Sequence, residues 1–306
     1  MANPTVRDVH IDSAMAGISI AYRNGAYIGE QVFPRLTVNH KSDYYYTFPK
    51  QAWFRDDVAL RAPGTRAQRG DYSISSASYS CQPYAIAKVV ADEVRMNADM
   101  PLNPDIEATE WVTDALIRAQ ERRVAALVTG STLWAYAASP TTQWSTDTSD
   151  PLGDIDDAVD AVVKAIGRLP NTMVVPWPVW KELKNHPDLL ERIKYTRPGA
   201  KAELTDLSAW FNMDKVLLGT AIYDPAQEGA TGSNTFIWGK YLWVGYVPNT
   251  PSLMAPAAGY VLEWQTRQVR RYREDQEHAD VIEASHNVTE VISASDAGAV
   301  IYKAVA

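Results

Sequence analysis

Residues 103–130, NPDIEATEWVTDALIRAQERRVAALVTG, carry a long helical pattern that decides how the rest of the chain can be arranged. Asn103 is a favourable N-cap, Pro104 suits the first helical position, and Asp105 complements the positive end of the helix dipole. The pattern predicts a helix over residues 104–128. At 1.5 Å per residue it would be about 38 Å long, with apolar side chains on more than one side. We therefore expect a spine across which other elements pack.

The stretch before this helix, residues 41–91, has dense charge and many aromatic rings but few aliphatic side chains. Within residues 41–72, six cations and four anions give a local charge of +2, whereas the whole chain carries −8. Alternation in DYYYTFPK and in DYSISSASYSCQPYAIAKVV predicts two β-strands joined by a long charged connection. Because such a ribbon cannot bury much of itself, we expect it to lie on the body of the protein or on a neighbouring molecule.

The flanking segments predict an extended arm on one side and a mixed α/β region on the other. Residues 1–40 are short apolar patches interrupted by glycine and proline, which is typical of an arm. Beyond the long helix, a helix capped by Asp154 and a buried strand at residues 172–175 are followed by shorter helices and a second buried strand. FIWGKYLWVGYV, GYVLEWQ and the chain from Ala279 onward are predicted to be strands.

Composition excludes several classes of protein. The chain is 46% hydrophobic and 22% charged, and no apolar run reaches the roughly 20 residues that cross a bilayer. Its first residues lack the basic-then-apolar pattern of a signal peptide. Cys81 is the one cysteine, which excludes an intramolecular disulfide and fits a reducing compartment. The net charge of −8 argues against a dedicated nucleic-acid-binding protein.

Motifs for chemistry are missing from the sequence. It contains no GxxxxGK[ST], no GxGxxG after a strand, no GxSxG and no HExxH, and its five histidines are scattered. We interpret Glu277, His278 and Asp280 as solvated surface, and Cys81 as an inert small residue without a local activator. We therefore expect no catalytic residue, no cofactor, no metal and no enzymatic activity.

Read in order, several segments resemble the major capsid proteins of tailed bacteriophages, whose fold is shared with encapsulins and the herpesvirus capsid floor. YIGEQVFPRLTV, DYYYTFPK and RAPGTRA resemble the arm and extended loop, and ADEVRMNADMPLNPDIEATEWVTDALIRAQERRVAALV resembles the strand return and spine helix. NTMVVPWPVWKELKNHPDLLERIKY and LTDLSAWFNMDKVLLGTAIYD resemble the axial domain. FIWGKYLWVGYVPNTPSLMAPAAGYVLEW and DAGAVIYKAV resemble the return to the peripheral domain. The resemblance covers nearly the whole chain and depends on the order of the segments.

The resemblance implies an α+β subunit with the tailed-phage major capsid fold. That fold has an N-terminal arm, an extended β-hairpin loop, a peripheral domain with a long spine helix, and a mixed α/β axial domain. The implied division is an arm at 1–40, the extended loop at 41–91, the peripheral domain at 92–150 with the spine helix at 104–128, the axial domain at 151–256, and the return to the peripheral domain at 257–306.

The implied function is that of a coat protein. It would self-assemble as pentamers and hexamers into the icosahedral head that encloses the double-stranded DNA of a tailed phage, with assembly in the host bacterial cytoplasm and a final place in the virion. Two sets of residues are predicted to contact neighbouring subunits. They are Arg55, Asp56, Asp57, Arg61, Arg66 and Arg69, making ion pairs from the extended loop, and Pro198, Gly199 and Lys201, lying at the capsomer axis.

The expected partners are other copies of the chain and a portal. Because residues 1–40 leave no room for a long scaffolding segment before the loop, we predict a separate scaffolding protein or assembly without one. Whether a decoration protein binds the shell is left open. The acidic balance fits DNA that is enclosed without specific binding, and no membrane partner is expected.

Three alternative functions stay open at this point. An encapsulin-like nanocompartment shell has the same fold. A carbohydrate-binding or carbohydrate-active module would explain why ten Trp and sixteen Tyr outnumber five Phe, although subunit interfaces favour the same residues. A tail or head-completion protein would form rings rather than closed shells.

Overall fold

The computed structural model describes residues 26–47, 56, 58, 60–61, 63–67, 69, 75–98, 103–195, 199, 201–227, 231–250 and 257–306. The α-helices in these ranges are α1 Gly29–Val32, α2 Asp92–Met96, α3 Pro104–Val128, α4 Pro151–Ile166, α5 Trp177–Leu183, α6 Pro187–Ile193 and α7 Leu204–Phe211. The strands are β1 Arg35–Thr37, β2 Ser42–Thr47, β3 Ser75–Ser80, β4 Gln82–Ala91, β5 Tyr136–Ala138, β6 Thr172–Pro176, β7 Lys215–Gly219, β8 Ile222–Tyr223, β9 Thr235–Phe236, β10 Leu242–Gly245, β11 Gly259–Glu274, β12 Ala279–Ile292 and β13 Gly298–Ile301. A 3₁₀ turn at Ser295–Ala297 precedes β13.

The predicted long helix is confirmed as α3, with the predicted bounds. The Asn103 side chain accepts hydrogen bonds from the backbone N–H groups of Asp105 at 3.1 Å and Ile106 at 3.4 Å, which satisfies donors that the first turn would otherwise leave unpaired. No helix among the described residues is long and apolar enough to cross a membrane.

A four-stranded sheet lies against the first half of α3, with strand order β1-β11-β12-β4. The strands β11 and β12 form a long antiparallel hairpin, β4 pairs with β12 along all ten of its residues, and β1 runs parallel to β11. Side chains alternate across a sheet, so one face buries a row of apolar residues under the helix. This core consists of Val90, Ala108, Val112, Leu116, Val269, Ile282 and Ala284.

A five-stranded sheet forms the other layer, with strand order β5-β13-β10-β6-β7. Met173 and Val175 of β6 face the core under the helices, whereas Val174 between them faces the opposite side. On the helix side, α4 packs over β5, β10 and β13, while α5 packs over β6 and β7 and α7 packs over β7. The sheet therefore has an edge near α4 and an opposite edge near α5 and α7.

The second half of α3 packs into a core that joins the two sheets. Trp134 and Trp243 meet at a ring-centroid distance of 5.6 Å, and the Trp134 indole N–H donates to the Val128 carbonyl at 2.8 Å. A Cβ atom at Gly298 would lie 2.6 Å from the Trp134 ring, so a larger residue would not fit there. The same core also contains side chains from α1 and its flanking residues, from α3, from strands of both sheets and from the turn before β10. They include Ile28, Val32, Phe33, Val124, Val174, Trp238, Val261, Val288 and Val300.

The expectation that Asp154 caps the next helix is wrong. The helix α4 begins at Pro151, and the Asp150 side chain accepts the Gly153 backbone N–H at 2.8 Å. Asp150-Pro151 therefore has the same N-cap and proline arrangement as the start of α3. The Asp154 carboxylate instead accepts the Trp144 indole N–H at 2.7 Å.

The second predicted strand of the ribbon is two strands separated by Cys81. Before it, β3 pairs antiparallel with β2; after it, β4 pairs with β12. The break has a packing cause, because Cys81 is fully buried and its backbone N–H donates to the Lys41 carbonyl at 2.8 Å. The chain leaves the two-stranded ribbon at this residue and enters the four-stranded sheet.

Candidate assembly surfaces

The β2–β3 ribbon is attached to the body of the protein by buried side chains at its base. The Tyr79 hydroxyl donates to the His40 carbonyl at 3.1 Å, and the Tyr45 hydroxyl donates to the Ile292 carbonyl at 3.4 Å. Cys81 packs beside Tyr260, and burial raises the pKa of its thiol above the ordinary value. The thiol is therefore held protonated, which makes it a poor nucleophile.

Beyond this base, the connection between β2 and β3 is exposed wherever the structure describes it. Val58 is 93% exposed and Leu60 is fully exposed. Asp56, Arg61, Arg66 and Arg69, four of the predicted contact residues, are exposed too, and none of them forms an ion pair with another described residue. The other two, Arg55 and Asp57, lie outside the described residues.

The predicted capsomer-axis loop is in a different part of the molecule. Gly199 and Lys201 are exposed and border a shallow groove beside α6, and Pro198 lies outside the described residues. The backbone of Gly199 has φ of +77°, a conformation that costs an L-amino acid side chain energy. The loop lies on the helical layer of the five-stranded sheet, whereas the ribbon is attached next to the four-stranded sheet.

An ion-pair network that the sequence did not reveal lies at the far end of the β11–β12 hairpin. Arg273 donates to both carboxylate oxygens of Asp92, at 2.7 and 2.6 Å. Arg95 lies 2.8 Å from Asp105 and 3.0 Å from Asp280. The network ties together β11, β12, α2 and the first turn of α3, and also includes Arg271.

The interpretation of Asp280 as solvated surface is therefore wrong. Asp280 is buried, while its neighbours Glu277 and His278 in the hairpin turn are exposed, as expected. Burial favours the neutral acid, but the hydrogen bond and charge of Arg271, together with the charges of Arg95 and Arg273, outweigh it and lower the pKa of Asp280. The only sequence signal was the alternation of Arg271 and Arg273 on one strand face.

A buried carboxylate holds three segments together in the core between the sheets. Glu121 of α3 accepts the backbone N–H groups of Ile28 at 3.0 Å and Gly29 at 2.7 Å, and the Trp238 indole N–H at 2.8 Å. Burial raises the pKa of Glu121, and the three donors oppose that rise. The side chain fixes the position at which the described amino-terminal segment meets α3.

A second buried acid pairs with a histidine in the four-stranded sheet. Glu263 of β11 and His286 of β12 share a hydrogen bond, and Arg35 of β1 lies 3.7 Å from the Glu263 carboxylate. Burial raises the pKa of Glu263, but the hydrogen bond and charge of His286 and the charge of Arg35 outweigh it, and the net pKa is lowered. The pair links β1 to the hairpin.

One group of residues has the composition of a catalytic triad. Ser149 lies 3.0 Å from His186 Nε2, and the Asp188 carboxylate lies 3.7 Å from His186 Nδ1. However, His186 Nδ1 accepts the Asp188 backbone N–H at 3.3 Å, so the neutral ring carries its proton on Nε2. A protonated Nε2 cannot take a proton from Ser149, and both side chains are buried. The group caps α6 and ties it to the preceding loop.

Comparison with known proteins adds a relationship along nearly the whole chain. No protein-family model matches it. Over 304 residues the chain is 26% identical to the major capsid protein of Burkholderia phage BcepMu, covering 95% of each protein. A phage-related protein from Bordetella bronchiseptica, solved by crystallography, is 26% identical with a TM-score of 0.78, covering 97% of this chain and 98% of that one. The capsid structure of cyanophage P-SCSP1u has the same fold, with a TM-score of 0.61, 11% identity and coverage of 92% and 89%.

Proposed function

We propose that this chain is a major capsid protein of a tailed bacteriophage and that it assembles as pentamers and hexamers into an icosahedral head around double-stranded DNA. The observation that carries the proposal is the relationship to a phage major capsid protein over 95% of both chains. The similarity to phage major capsid proteins favours a phage coat protein over a nanocompartment shell protein. The similarity in fold to a phage capsid structure favours a coat protein over a carbohydrate-binding module.

The ribbon is the element that we propose to reach a neighbouring subunit. Its base is buried and hydrogen-bonded, so its direction is fixed, whereas the described part of its tip exposes Val58, Leu60 and several charges. Exposed aliphatic and charged side chains with no described partner in their own chain fit a surface that is covered on assembly. The residues that we propose to form ion pairs with a neighbouring subunit are Arg55, Asp56, Asp57, Arg61, Arg66 and Arg69.

The domain division and the capsomer-axis loop are further parts of the proposal. The proposed division is an arm at 1–40, a loop at 41–91, a peripheral domain at 92–150 and 257–306, and an axial domain at 151–256. The strands β6, β7 and β10 of the five-stranded sheet fall within the axial range, whereas its strands β5 and β13 come from the peripheral ranges. Within the axial domain, Pro198, Gly199 and Lys201 are proposed to lie at the five-fold and local six-fold axes. Exposure of Gly199 and Lys201 supports that place.

The proposed partners are copies of the same chain, a portal, and a separate scaffolding protein if one is needed, in the host bacterial cytoplasm. DNA is proposed to be enclosed without specific binding, because a chain with a net charge of −8 offers no general attraction to phosphates. A shell wall that does not attract phosphates would let the packaged DNA move.

Expression of the chain with and without its genomic neighbours, followed by sedimentation and electron microscopy, tests this function. Closed shells built of five-fold and six-fold capsomers are expected. Open rings alone would support a head-completion or tail protein instead. A stable monomer that binds glycans under all conditions would support the carbohydrate module and contradict the coat function.

A further inference from the structure

A surface with partly exposed tryptophans and several lysine and arginine side chains lies at the edge of the five-stranded sheet covered by α5 and α7, and we call it the aromatic flank. Trp177 is 37% exposed, and the Lys184 ammonium lies 5.1 Å from the centre of its ring. The Arg192 guanidinium lies 5.8 Å from the ring of Trp210 on α7. Lys181, one turn before Lys184, is exposed, and its ammonium lies 3.6 Å from the Glu182 carboxylate. Tryptophan and arginine together are the residues most enriched where protein surfaces bind each other tightly.

The opposite edge of the same sheet has the complementary charge. The helix α4 packs over β5, β10 and β13, and the stretch 147–164 around its start contains six aspartates and a single cation, Lys164. Lys164 is paired with Asp160. We call the exposed aspartates of this stretch the acidic flank: Asp147, Asp150, Asp156, Asp157 and Asp160.

Asp156 and Asp157 are the members best placed to reach another molecule. Both are exposed, and neither forms an ion pair within the described part of the chain. They remain available to a cation on a second subunit.

We propose that the aromatic flank of one subunit binds the acidic flank of the next subunit around each capsomer. The inference rests on the proposed coat function and names the two surfaces that close the ring. A ring needs a head-to-tail contact between two different surfaces of the same chain, and here they lie on opposite edges of one sheet. Lys181 and Lys184 of one copy face Asp156 and Asp157 of its neighbour.

Charge reversal tests this pairing directly. The acid-side variant is Asp156→Lys/Asp157→Lys, and the base-side variant is Lys181→Glu/Lys184→Glu. Each places like charges across the contact, and like-charge contacts are strongly unfavourable at interfaces, so the assembled fraction should fall by about tenfold or more. The chain with all four changes restores opposite charges, and its assembled fraction should return to within about threefold of wild type.

An equimolar mixture of the acid-side and base-side variants provides a second measurement that does not need the quadruple variant to fold. In the mixture, favourable contacts arise only where the two chains alternate around a ring. A six-membered ring can alternate completely, whereas a five-membered ring leaves one like-charge contact. Hexameric capsomers without pentameric ones are therefore expected by electron microscopy.

Sedimentation and electron microscopy of the variants decide the outcome, with circular dichroism and thermal unfolding showing that each chain is folded. Assembly of both double variants at the wild-type level would overturn the inference. The inference would also be overturned if the quadruple variant folded but did not assemble and the mixture of the two double variants did not assemble either. Failure of the wild-type chain itself to form shells would instead count against the proposed function.

Discussion

Arginines occur in two parts of this molecule with contrasting surroundings. At the end of the β11–β12 hairpin, Arg95 and Arg273 lie within 3 Å of aspartates from other segments, so their charges are compensated inside the subunit. In the connection between β2 and β3, Arg61, Arg66 and Arg69 are exposed and have no ion pair with a described residue. Charges that stabilise a subunit and charges that are available to a neighbour are thus separated in space.

This contrast predicts how substitutions change the free energy of unfolding of the unassembled chain. Changes in the body should be costly in proportion to the buried partners that they leave unpaired. Changes in the ribbon should cost almost nothing until the subunit assembles. The predictions run from the largest expected cost to the smallest.

The largest cost is expected for Glu121→Ala. The change leaves two backbone N–H groups and the Trp238 indole N–H buried without an acceptor and opens a cavity, which should destabilise the chain by about 3–5 kcal/mol in urea unfolding. The control Glu121→Gln keeps one acceptor oxygen and the shape, and should lose less than half as much. Equal losses for both variants would show that the hydrogen bonds contribute little.

The next largest cost is expected for Asp280→Ala, which removes one of the two carboxylates that Arg95 and Arg271 share and leaves only Asp105 between them. We expect a loss of about 2–4 kcal/mol at neutral pH. Asp275 in the same turn has a side chain that is 94% exposed, so Asp275→Ala is the matched control and should change the stability by less than about 0.5 kcal/mol.

The same aspartate predicts a pH dependence with a definite sign. The pKa of Asp280 is lower in the folded chain than in the unfolded one, so the folded chain binds fewer protons in the acid range. The stabilisation is present above the unfolded pKa of about 3.9 and is lost as the pH falls through the folded value. Urea unfolding should therefore show a weaker acid dependence in Asp280→Asn than in wild type. An unchanged slope would contradict the lowered pKa.

A smaller cost is expected for His186→Ala, because the ring caps only the short helix α6. Loss of the Nδ1 acceptor and of the contact to Ser149 should destabilise the chain by about 1–2 kcal/mol. His186→Asn keeps a capping oxygen and should recover part of the loss. Thermal unfolding measures both, and a more stable alanine variant would argue against the cap.

The smallest cost to the unassembled chain is expected for Arg61→Glu/Arg66→Glu/Arg69→Glu in the ribbon. Exposed substitutions of this kind change stability by less than about 0.5 kcal/mol. Shell formation should nevertheless fall sharply, because six units of charge change at the proposed contact. The charge-neutral Arg61→Gln/Arg66→Gln/Arg69→Gln serves as the control. A triple reversal that destabilised the monomer by several kcal/mol would show that these arginines have partners in their own chain.

Local patterns were sufficient where a side chain acts on its own backbone. Asn103-Pro104 predicted the start of α3, because an N-cap and a proline at the first helical position are local features. The wrong cap at Asp154 is not a failure of local signals, because Asp150-Pro151 has the same N-cap and proline arrangement as Asn103-Pro104. The Asp154 side chain instead accepts a hydrogen bond from the Trp144 indole N–H, a contact that depends on the folded chain.

By itself, the amino-acid sequence determined the long helix and the buried strand predicted at 172–175, and the order of its segments carries the resemblance to phage major capsid proteins. Only the tertiary structure decided that Cys81 ends one strand, that Asp280 is buried and that Glu121 joins three segments. The physical reason is that helix caps and apolar periodicity depend on residues a few positions apart. Buried polar partners come from distant segments, and only the folded chain brings their atoms within hydrogen-bonding distance.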